Sequence, residues 1–425
     1  MIQDQGGLVG RENRSSAGRL TVFCHEIPYP PNHGGKLDLW NLIRGLYTQG
    51  LSIQLVCWFR RERITPTARR ELMTVADDIV EVPRRRQWWR LLLSRYPARM
   101  LSFGPGRQDH AELRKRVEAF APDWLLLDSW AGYLPARALS REIGRPLIYR
   151  SQNVEHRYYH DLRRVARGTL KIKLALKAFR LFSAEREIRS TVDLVADISA
   201  DDMREWERLG GAGHSLVVHP LWLDRFVHAL PERDIDLLFV GNLHTPNNVE
   251  GLRWFTSEVL PILRRDMAPR ALRVVFAGSG PDAAGLALWR EAGIVCVPNP
   301  ADVSVFYSRA RVVINPLRQG SGVNIKMIEA LASGRPVVTT PAAIRGLPDD
   351  VRSFFSVCST PEAFASAAVD ILTAEENPVD QAERNALVEQ LFGPATLRPL
   401  ILALHQLRPA AIRQHAGTSI PADHS

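Results

Sequence analysis

Short apolar runs alternate with longer stretches of helical periodicity along most of the 425-residue chain. This β-α-β alternation is typical of a mostly parallel sheet that helices cover on both faces. It occurs in two series. The first contains RLTVFC, SIQLVCWF, DIVEV, DWLLLD, PLIYR, DLVADIS and SLVVHP, and the second contains DLLFVG, LRVVFAG, IVCVP, RVVINP, PVVTT and FFSVC. The sequence therefore predicts an α/β protein with two Rossmann-like, doubly wound domains facing each other across a cleft.

The two series also predict the domain boundaries, because a chain of this length is too long for one ordinary core. The predicted units are a flexible leader at 1–18, an N-terminal domain at 19–222, a linker at 223–234, a C-terminal domain at 235–380, a helical segment at 381–408 and a flexible tail at 409–425. Open α/β sheets bind ligands at the carboxyl ends of their strands. The cleft between the domains is therefore the expected site.

The charge balance favours an anionic partner. Lys and Arg number 55 and Asp and Glu number 46, which gives a formal net charge of +9. A nucleotide-sugar phosphate, an anionic lipid and a nucleic acid all fit this charge, but nucleic-acid binding depends on charge alone, so we expect none. No run approaches the ~20 apolar residues of a bilayer span, and the polar start lacks a signal-peptide core. We therefore expect a cytoplasmic location.

The most informative segment is NPLRQGSGVNIKMIEALASGRPVVTT, residues 315–340. Its order of strand, glycine-bearing loop, helix and second strand brings backbone amides to a helix start. Gly320 and Gly322 allow a ligand to approach the backbone closely. The exposed N–H groups and the helix dipole favour phosphate or sugar oxygens at this place.

Three charged side chains accompany this loop. Arg318 and Lys326 can hold a diphosphate through charge-assisted hydrogen bonds and stabilise it as a leaving group. Glu329 can accept hydrogen bonds from a ribose diol. The alternative is that Lys326 and Glu329 form an ordinary surface pair three residues apart on one helix.

The sequence resembles the retaining GT-B glycosyltransferases, specifically the glycosyltransferase group 1 family. The likeness covers about residues 20–407 and is most specific over 236–340, in DLLFVGNLHTPNNVEGLRWFTSEVLPILRR, VVFAGSGP and PLRxGxGxxxKxxEALAxGxPVV. It implies a nucleotide diphosphate sugar as co-substrate, no cofactor, and Arg318 and Lys326 as the catalytic residues on the diphosphate.

The resemblance also implies a set of donor-binding residues, namely Gly34, Gly35, Gly241, Asn242, Gly320, Ser321, Gly322, Asn324 and Glu329. There are two departures from the family pattern. Ser321 stands where many members have a glutamate, eight positions before Glu329. Residues 241–245, GNLHT, stand where many members have an Arg and a Lys. The two glycines at 34 and 35 can alternatively form a plain connector between strand and helix.

The resemblance assigns a second group of residues, His33, Gln152, Asn153 and Glu155, to the acceptor or sugar side. Gln152 takes the place usually held by a histidine. Its amide can hydrogen-bond a sugar hydroxyl but cannot transfer a proton. As an alternative, Asn153 is a helix cap and Glu155 lies in the first turn of that helix.

We therefore expect a hexosyltransferase that retains configuration and moves a sugar to a glycan or lipid-linked glycan, in cell-surface polysaccharide or glycoconjugate biosynthesis. We predict no metal site, because the D-x-D sequence of Asp234 and Asp236 lies at a strand start, away from the cleft. One alternative is a sugar-nucleotide epimerase, although we find no convincing acid/base pair for it. The other is a catalytically inactive, membrane-docked protein that binds sugar nucleotides.

Two stretches mix basic and apolar residues, RRRQWWRLLLSRYPARM at 84–100 and LKIKLALKAFRLF at 170–182. Such mixtures suit the headgroup boundary of an anionic leaflet. We therefore expect peripheral contact with the inner face of the cytoplasmic membrane. The alternative is a solvated helix with a buried apolar face.

Overall fold

The computed structural model describes residues 17–60, 62–85, 94–165, 168–211, 213–224, 233–280, 283–320, 322–374 and 379–407. Within these ranges the strands form two parallel sheets, one of seven strands and one of six. Each predicted apolar run supplies one strand. The predicted fold class, two Rossmann-like domains in a GT-B arrangement, is confirmed.

The N-terminal sheet has the strand order β3-β2-β1-β4-β5-β6-β7. Its strands are β1 Arg19–Cys24, β2 Ser52–Phe59, β3 Asp78–Pro83, β4 Trp124–Leu127, β5 Leu147–Ser151, β6 Leu194–Asp197 and β7 Ser215–Val217. The strand order reverses between β1 and β4, which pair in parallel with Leu20 opposite Trp124. A ligand crevice is expected at such a reversal.

The helices of this half lie on both faces of the sheet. They are α1 Gly34–Thr48, α2 Pro66–Leu72, α3 Ala98–Leu101, α4 Arg107–Phe120, α5 Tyr133–Ile143, α6 Glu155–Val165, α7 Gly168–Thr191 and α8 Ala200–Arg208. One buried cluster includes Leu39 and Ile43 of α1. Another includes Leu139 of α5 and Ile188 of α7. Because helices cover both faces of the sheet, its strands are almost continuously hydrophobic.

The C-terminal sheet has the order β10-β9-β8-β11-β12-β13. Its strands are β8 Ile235–Val240, β9 Val274–Gly278, β10 Val295–Pro298, β11 Ala310–Asn315, β12 Val337–Thr339 and β13 Phe355–Val357. Its helices are α9 Pro246–Trp254, α10 Leu260–Asp266, α11 Ala283–Glu291, α12 Ser304–Arg309, α13 Ile325–Ala332 and α14 Pro361–Thr373, with a π-helical turn Phe255–Val259 between α9 and α10. The order reverses between β8 and β11, directly before α9 and α13.

Two final helices connect the halves. Helix α15 spans Val379–Phe392 and α16 spans Arg398–Leu407, with a 3₁₀ turn at Pro394–Leu397 between them. Leu400 and Leu404 of α16 are buried in the N-terminal core. Phe392 of α15 is buried in the C-terminal core. The chain therefore returns to the N-terminal half at its end.

Among the described residues one helical run, Glu383–Leu407, is long and apolar enough by length and composition to span a bilayer. This run was not predicted from the sequence. The 3₁₀ turn interrupts this run, and Phe392, Leu400 and Leu404 pack into the two cores, whereas Leu402 is 63% exposed. Packing inside the protein therefore accounts for part of its hydrophobicity.

Parts of the predicted organisation lie outside the described residues, namely 1–16 of the leader, 225–232 of the linker, residue 408 of the helical segment and the tail at 409–425. The domain boundaries stay predictions.

Candidate functional site in the interdomain cleft

Two glycine-bearing helix starts, one from each half, meet in the cleft. A Cβ atom on Gly34, the first residue of α1, would lie 3.7 Å from Cδ1 of Ile325, the first residue of α13. A Cβ atom on Gly322, whose φ is +77°, would lie 3.0 Å from Oδ1 of Asn153. The positive ends of two helix dipoles are therefore next to each other, which favours an anion between them.

Helix α1 is fixed by a buried ion pair. Arg150 of β5 donates from Nη2 to Oδ1 of Asp38 on α1 at 3.0 Å, and both side chains are 1% exposed. A buried pair of this kind is costly to break. It holds the start of α1 beside the end of β5, where Gln152 and Asn153 follow.

Lys326 belongs to α13, and its side chain reaches the carboxyl end of β8. Its Nζ donates to Oδ1 of Asn248 at 3.1 Å and lies 4.8 Å from the ring centroid of Phe239. A Cβ atom on Gly241 would lie 2.8 Å from that Nζ, so a larger residue would displace the end of the lysine side chain. Burial of the ammonium lowers the pKa of Lys326 to about 8, although the nearby Glu329 carboxylate opposes this shift.

Glu329 is half-buried one turn further along α13. Burial raises the pKa of its carboxyl to about 7, whereas a hydrogen bond with Tyr307 and the charge of Lys326 act to lower it. Lys326 and Glu329 thus have separate partners inside the fold. The alternative of an ordinary surface pair is therefore wrong, and the ribose role of Glu329 stays a prediction.

Arg318 has a different environment from Lys326. Its Nη1 lies 3.5 Å from Oε1 of Glu250, and its guanidinium lies 5.5 Å from the ring centroid of Trp254. The Arg318 side chain is 50% exposed. Because Glu250 already neutralises it and water screens it, Arg318 offers an incoming diphosphate less than Lys326 does.

The loop before α13 contains Gly320, whose carbonyl oxygen accepts a hydrogen bond from Nη1 of Arg345 at 2.9 Å. Arg345 was not among the predicted residues, although it follows β12, a strand adjacent to β11. Ser321 lies outside the described residues. Asn324 precedes α13 without a side-chain capping bond, and its Nδ2 is buried without a partner among the described residues.

Asn242 shapes the turn into α9. Its Oδ1 accepts hydrogen bonds from the backbone N–H groups of His244 and Thr245, each at 2.9 Å. Its carbonyl oxygen accepts from Nδ2 of Asn248 at 2.6 Å, and Asn248 in turn holds Lys326. The structure therefore gives Asn242 a positioning role, while its predicted contact with the donor stays a prediction.

Gln152 and Asn153 reach the cleft from the N-terminal half. A Cβ atom on Gly35 would lie 3.6 Å from Oε1 of Gln152. Among the described residues, Nε2 of Gln152 and Oδ1 of Asn153 are buried and have no partner. Buried polar atoms without a partner are uncommon and costly, so they indicate a missing ligand or water.

The capping alternative for Asn153 is wrong. The carboxylate of Glu185 occupies the start of α6, where it accepts from the backbone N–H groups of Glu155 at 2.8 Å and His156 at 3.0 Å. Burial, followed by the charge of Glu185, raises the pKa of the Glu155 carboxyl to about 7. Glu155 accepts a hydrogen bond from Trp130.

A polar network at the ends of β1 and β4 joins the predicted His33 to residues that were not predicted. Nδ1 of His25 lies 2.7 Å from Oδ2 of Asp128, which also accepts from the His25 backbone N–H at 3.0 Å through Oδ1. Glu26 lies 3.1 Å from Nε2 of His33 and 3.4 Å from Nη2 of Arg99. A signal was present, since His25 follows β1 and Asp128 follows β4, two strands that pair, but 103 positions separate the two residues.

This network has defined electrostatics. Burial alone would lower the pKa of His25, but the Asp128 carboxylate raises it above its usual value. The hydrogen bond from His33 lowers the pKa of Glu26 to about 2. The N-terminal side of the cleft therefore holds charges that are paired with one another.

Both carboxylates of the D-x-D sequence form ion pairs with arginines. Asp234 pairs with Arg273 and Arg309, and Asp236 pairs with Arg270. In the part of the chain that the structure describes, no three His, Cys, Asp or Glu residues are grouped so that they could hold a metal ion.

Comparison with known proteins agrees with this geometry. Residues 234–374 match the sequence profile of a family described as "Glycosyl transferases group 1". An uncharacterized 44.6 kDa protein in the cps region of Klebsiella pneumoniae is 24% identical over 342 residues, which cover 77% of this chain and 84% of that protein.

Solved structures share the fold at low sequence identity. Sucrose-phosphate synthase from Thermosynechococcus elongatus aligns with a TM-score of 0.63 at 16% identity over 95% of this chain and all of that one. HepE from Anabaena, solved in complex with UDP-glucose, aligns with a TM-score of 0.62 at 12% identity over 92% of this chain and 99% of that one. TarM from S. aureus, solved with UDP, aligns with a TM-score of 0.63 at 9% identity over 91% of this chain and 99% of that one.

The two sheets and the cleft define the class as a GT-B protein. The predicted resemblance to the group 1 glycosyltransferases is confirmed, and the profile match lies on the C-terminal half, which contains Lys326 and the start of α13.

Proposed function

We propose that this group 1 glycosyltransferase transfers a hexosyl group from a uridine diphosphate sugar to a hydroxyl of a glycan or lipid-linked glycan. The observation that supports this most is a group of buried amide atoms in the cleft, on Gln152, Asn153 and Asn324, that have no partner among the described residues. All three lie where the starts of α1 and α13 meet, and α13 also contains Lys326. Sugar hydroxyls, which both donate and accept, can satisfy all three.

The relatives favour the finer assignments. HepE has been solved with UDP-glucose and TarM with UDP, which supports a uridine nucleotide as the donor. The relative from Klebsiella pneumoniae belongs to a cps region, which supports a role in the biosynthesis of a surface polysaccharide.

The proposed mechanism stabilises the leaving diphosphate. Negative charge grows on its oxygens as the glycosidic bond breaks, so groups that bind this charge better than the ground state accelerate the step. The Lys326 ammonium and the N–H groups at the start of α13 supply fixed positive charge. In the proposal they make a metal ion unnecessary.

The acceptor enters from the N-terminal side. Its hydroxyl attacks from the face on which the diphosphate leaves, so configuration is retained, and a diphosphate oxygen takes the hydroxyl proton. The His25, Glu26 and His33 network orients the acceptor, since its paired charges offer fixed hydrogen-bonding groups to neutral hydroxyls.

The test is a transfer assay with UDP-sugars, a glycan acceptor and an excess of EDTA. We expect release of UDP together with a product whose new linkage has the anomeric configuration of the donor, measured by mass spectrometry and NMR. Conversion of the donor sugar without an acceptor would instead identify an epimerase. Binding without transfer would identify an inactive protein. Such binding can be detected by thermal stabilisation, because a donor at 100 times its Kd stabilises the fold by about 2.7 kcal/mol.

A further inference from the structure

Helix α7 has apolar side chains on the side that faces away from the protein. Ile172, Leu176 and Phe179 are 64%, 62% and 72% exposed, whereas Leu181 and Ile188 of the same helix are fully buried. At about 100° per residue, the three exposed side chains fall on one strip, opposite the buried pair. A helix on a solvated protein surface normally has polar residues on this side.

Cations flank this apolar strip. The segment 168–180 contains Lys171, Lys173, Lys177 and Arg180 and no acidic residue. By the same helical geometry, Lys173 and Arg180 lie along one edge of the strip and Lys171 along the other. Lys177 is turned inward, with its Nζ 3.8 Å from the ring centroid of Tyr159 on α6.

Towards its end, the outer side of α7 borders an open hollow of about 550 Å³, lined by Arg95, Arg137, Phe182, Ser183, Arg186, Glu187 and Ser190. Glu187 is paired with Arg95 at 2.9 Å and with Arg137 at 2.8 Å. Three arginines against one glutamate leave the hollow positive, which suits a phosphate group.

The other basic stretch is turned partly inward where it is described. Arg84 donates to Ser102 and stacks on Phe103, and Tyr96 donates to Glu187 at 2.9 Å. Trp88 and Trp89 lie outside the described residues. Of the two stretches predicted to contact a membrane, the structure therefore favours the one on α7.

We propose that the outer side of α7 docks on an anionic phospholipid bilayer, with Ile172, Leu176 and Phe179 in the acyl boundary and the flanking cations at the level of the phosphates. An apolar strip with Lys173 and Arg180 on one edge and Lys171 on the other matches the order of acyl chains and headgroups in a bilayer. A second copy of this chain fits less well, because a symmetric contact through this side would place like charges opposite each other.

Docking also bears on the acceptor side. Helix α6 packs against α7 and begins at Glu155, beside Gln152 and Asn153. The acceptor side of the cleft therefore adjoins the helix that packs on the docking helix. This consequence rests on the proposed function, because it concerns a lipid-linked acceptor.

The test is co-sedimentation of the full chain with vesicles of phosphatidylcholine containing 30 mol% phosphatidylglycerol, and with vesicles of phosphatidylcholine alone. We expect binding to the anionic vesicles that weakens with salt, and at least about tenfold weaker binding for the variant Ile172→Ser/Leu176→Ser/Phe179→Ser. The matched control is Leu402→Ser on α16, whose side chain is 63% exposed, and it should bind like wild type. Arg186→Gln should weaken binding to the anionic vesicles only.

Two results would overturn the proposal, namely no binding of wild type to anionic vesicles, or equal loss in the Leu402→Ser control. A dimer in light scattering that the triple substitution dissociates, without any vesicle binding, would identify a second copy as the occupant. Stabilisation by UDP-glucose, measured on the same samples, tests the proposed function separately. We expect it to be unchanged by the triple substitution, which also shows that the variant is folded.

Discussion

The two sides of the cleft use charge in opposite ways. On the C-terminal side, Lys326 is held by the neutral Asn248 and by the ring of Phe239, so its ammonium keeps its charge available for an anion. On the N-terminal side, His25 is paired with Asp128, and Glu26 with its neighbours. The difference supports the proposal that one side binds a diphosphate and the other uncharged hydroxyls.

The largest expected effect comes from Lys326→Ala, which removes the charge that the C-terminal side keeps free. We expect kcat to fall by about 10²–10³-fold, because groups that stabilise a developing oxyanion contribute that much. Arg318→Ala should cost about tenfold or less, because Glu250 and solvent already satisfy the arginine. Steady-state kinetics of the two variants measures this ratio. Equal losses would show that the two cations act as a unit.

A backbone change at the meeting point of the two sides should have the next largest effect. Gly322→Ala adds a methyl group 3.0 Å from Asn153 at a φ of +77°. Because the methyl group would push the loop and Asn153 apart, we expect kcat/KM to fall by about 10–100-fold. Gly144→Ala is the matched control, since its φ is +62° and nothing lies within 4 Å. Both changes should lower the free energy of unfolding by about 1 kcal/mol. Unchanged activity in Gly322→Ala would contradict the placement of the site.

A substitution on the N-terminal side should weaken the use of the acceptor and leave the binding of the donor nucleotide unchanged. His25→Asn removes one member of the buried pair, and we expect kcat/KM for the acceptor to fall by about tenfold while the Kd of UDP stays the same. His110→Gln is the control, because His110 forms an exposed pair with Glu142 at 2.9 Å. A parallel loss of UDP affinity in His25→Asn would remove the distinction between the two sides.

The smallest effect is a pH dependence of donor binding. Because burial lowers the pKa of Lys326 to about 8, the free protein loses this charge as the pH rises through 8, and a bound diphosphate restores it. The affinity for UDP should therefore fall by about fourfold between pH 7 and pH 8.5. Calorimetric titrations at both pH values measure this change. Lys326→Gln should bind weakly with no such fall.

The fold was predictable because strands of a parallel sheet are buried on both faces and read as continuous apolar runs. The glycine-bearing loop before α13 was also recognisable, since Gly320 to Glu329 are contiguous in the sequence. The network of His25 and Asp128 was not, because it joins residues from two distant strands. Likewise, nothing local shows that Glu185, rather than Asn153, caps α6, or that Arg318 finds Glu250.

The most direct test of the cleft as a diphosphate site is the difference in affinity between UDP and UMP, measured by calorimetry on the wild-type protein and on Lys326→Ala. The two ligands differ only in the second phosphate. We predict that wild type binds UDP at least about tenfold more tightly than UMP and that Lys326→Ala loses this preference. Equal affinities of wild type for both nucleotides, or a preference that survives in Lys326→Ala, would contradict the account.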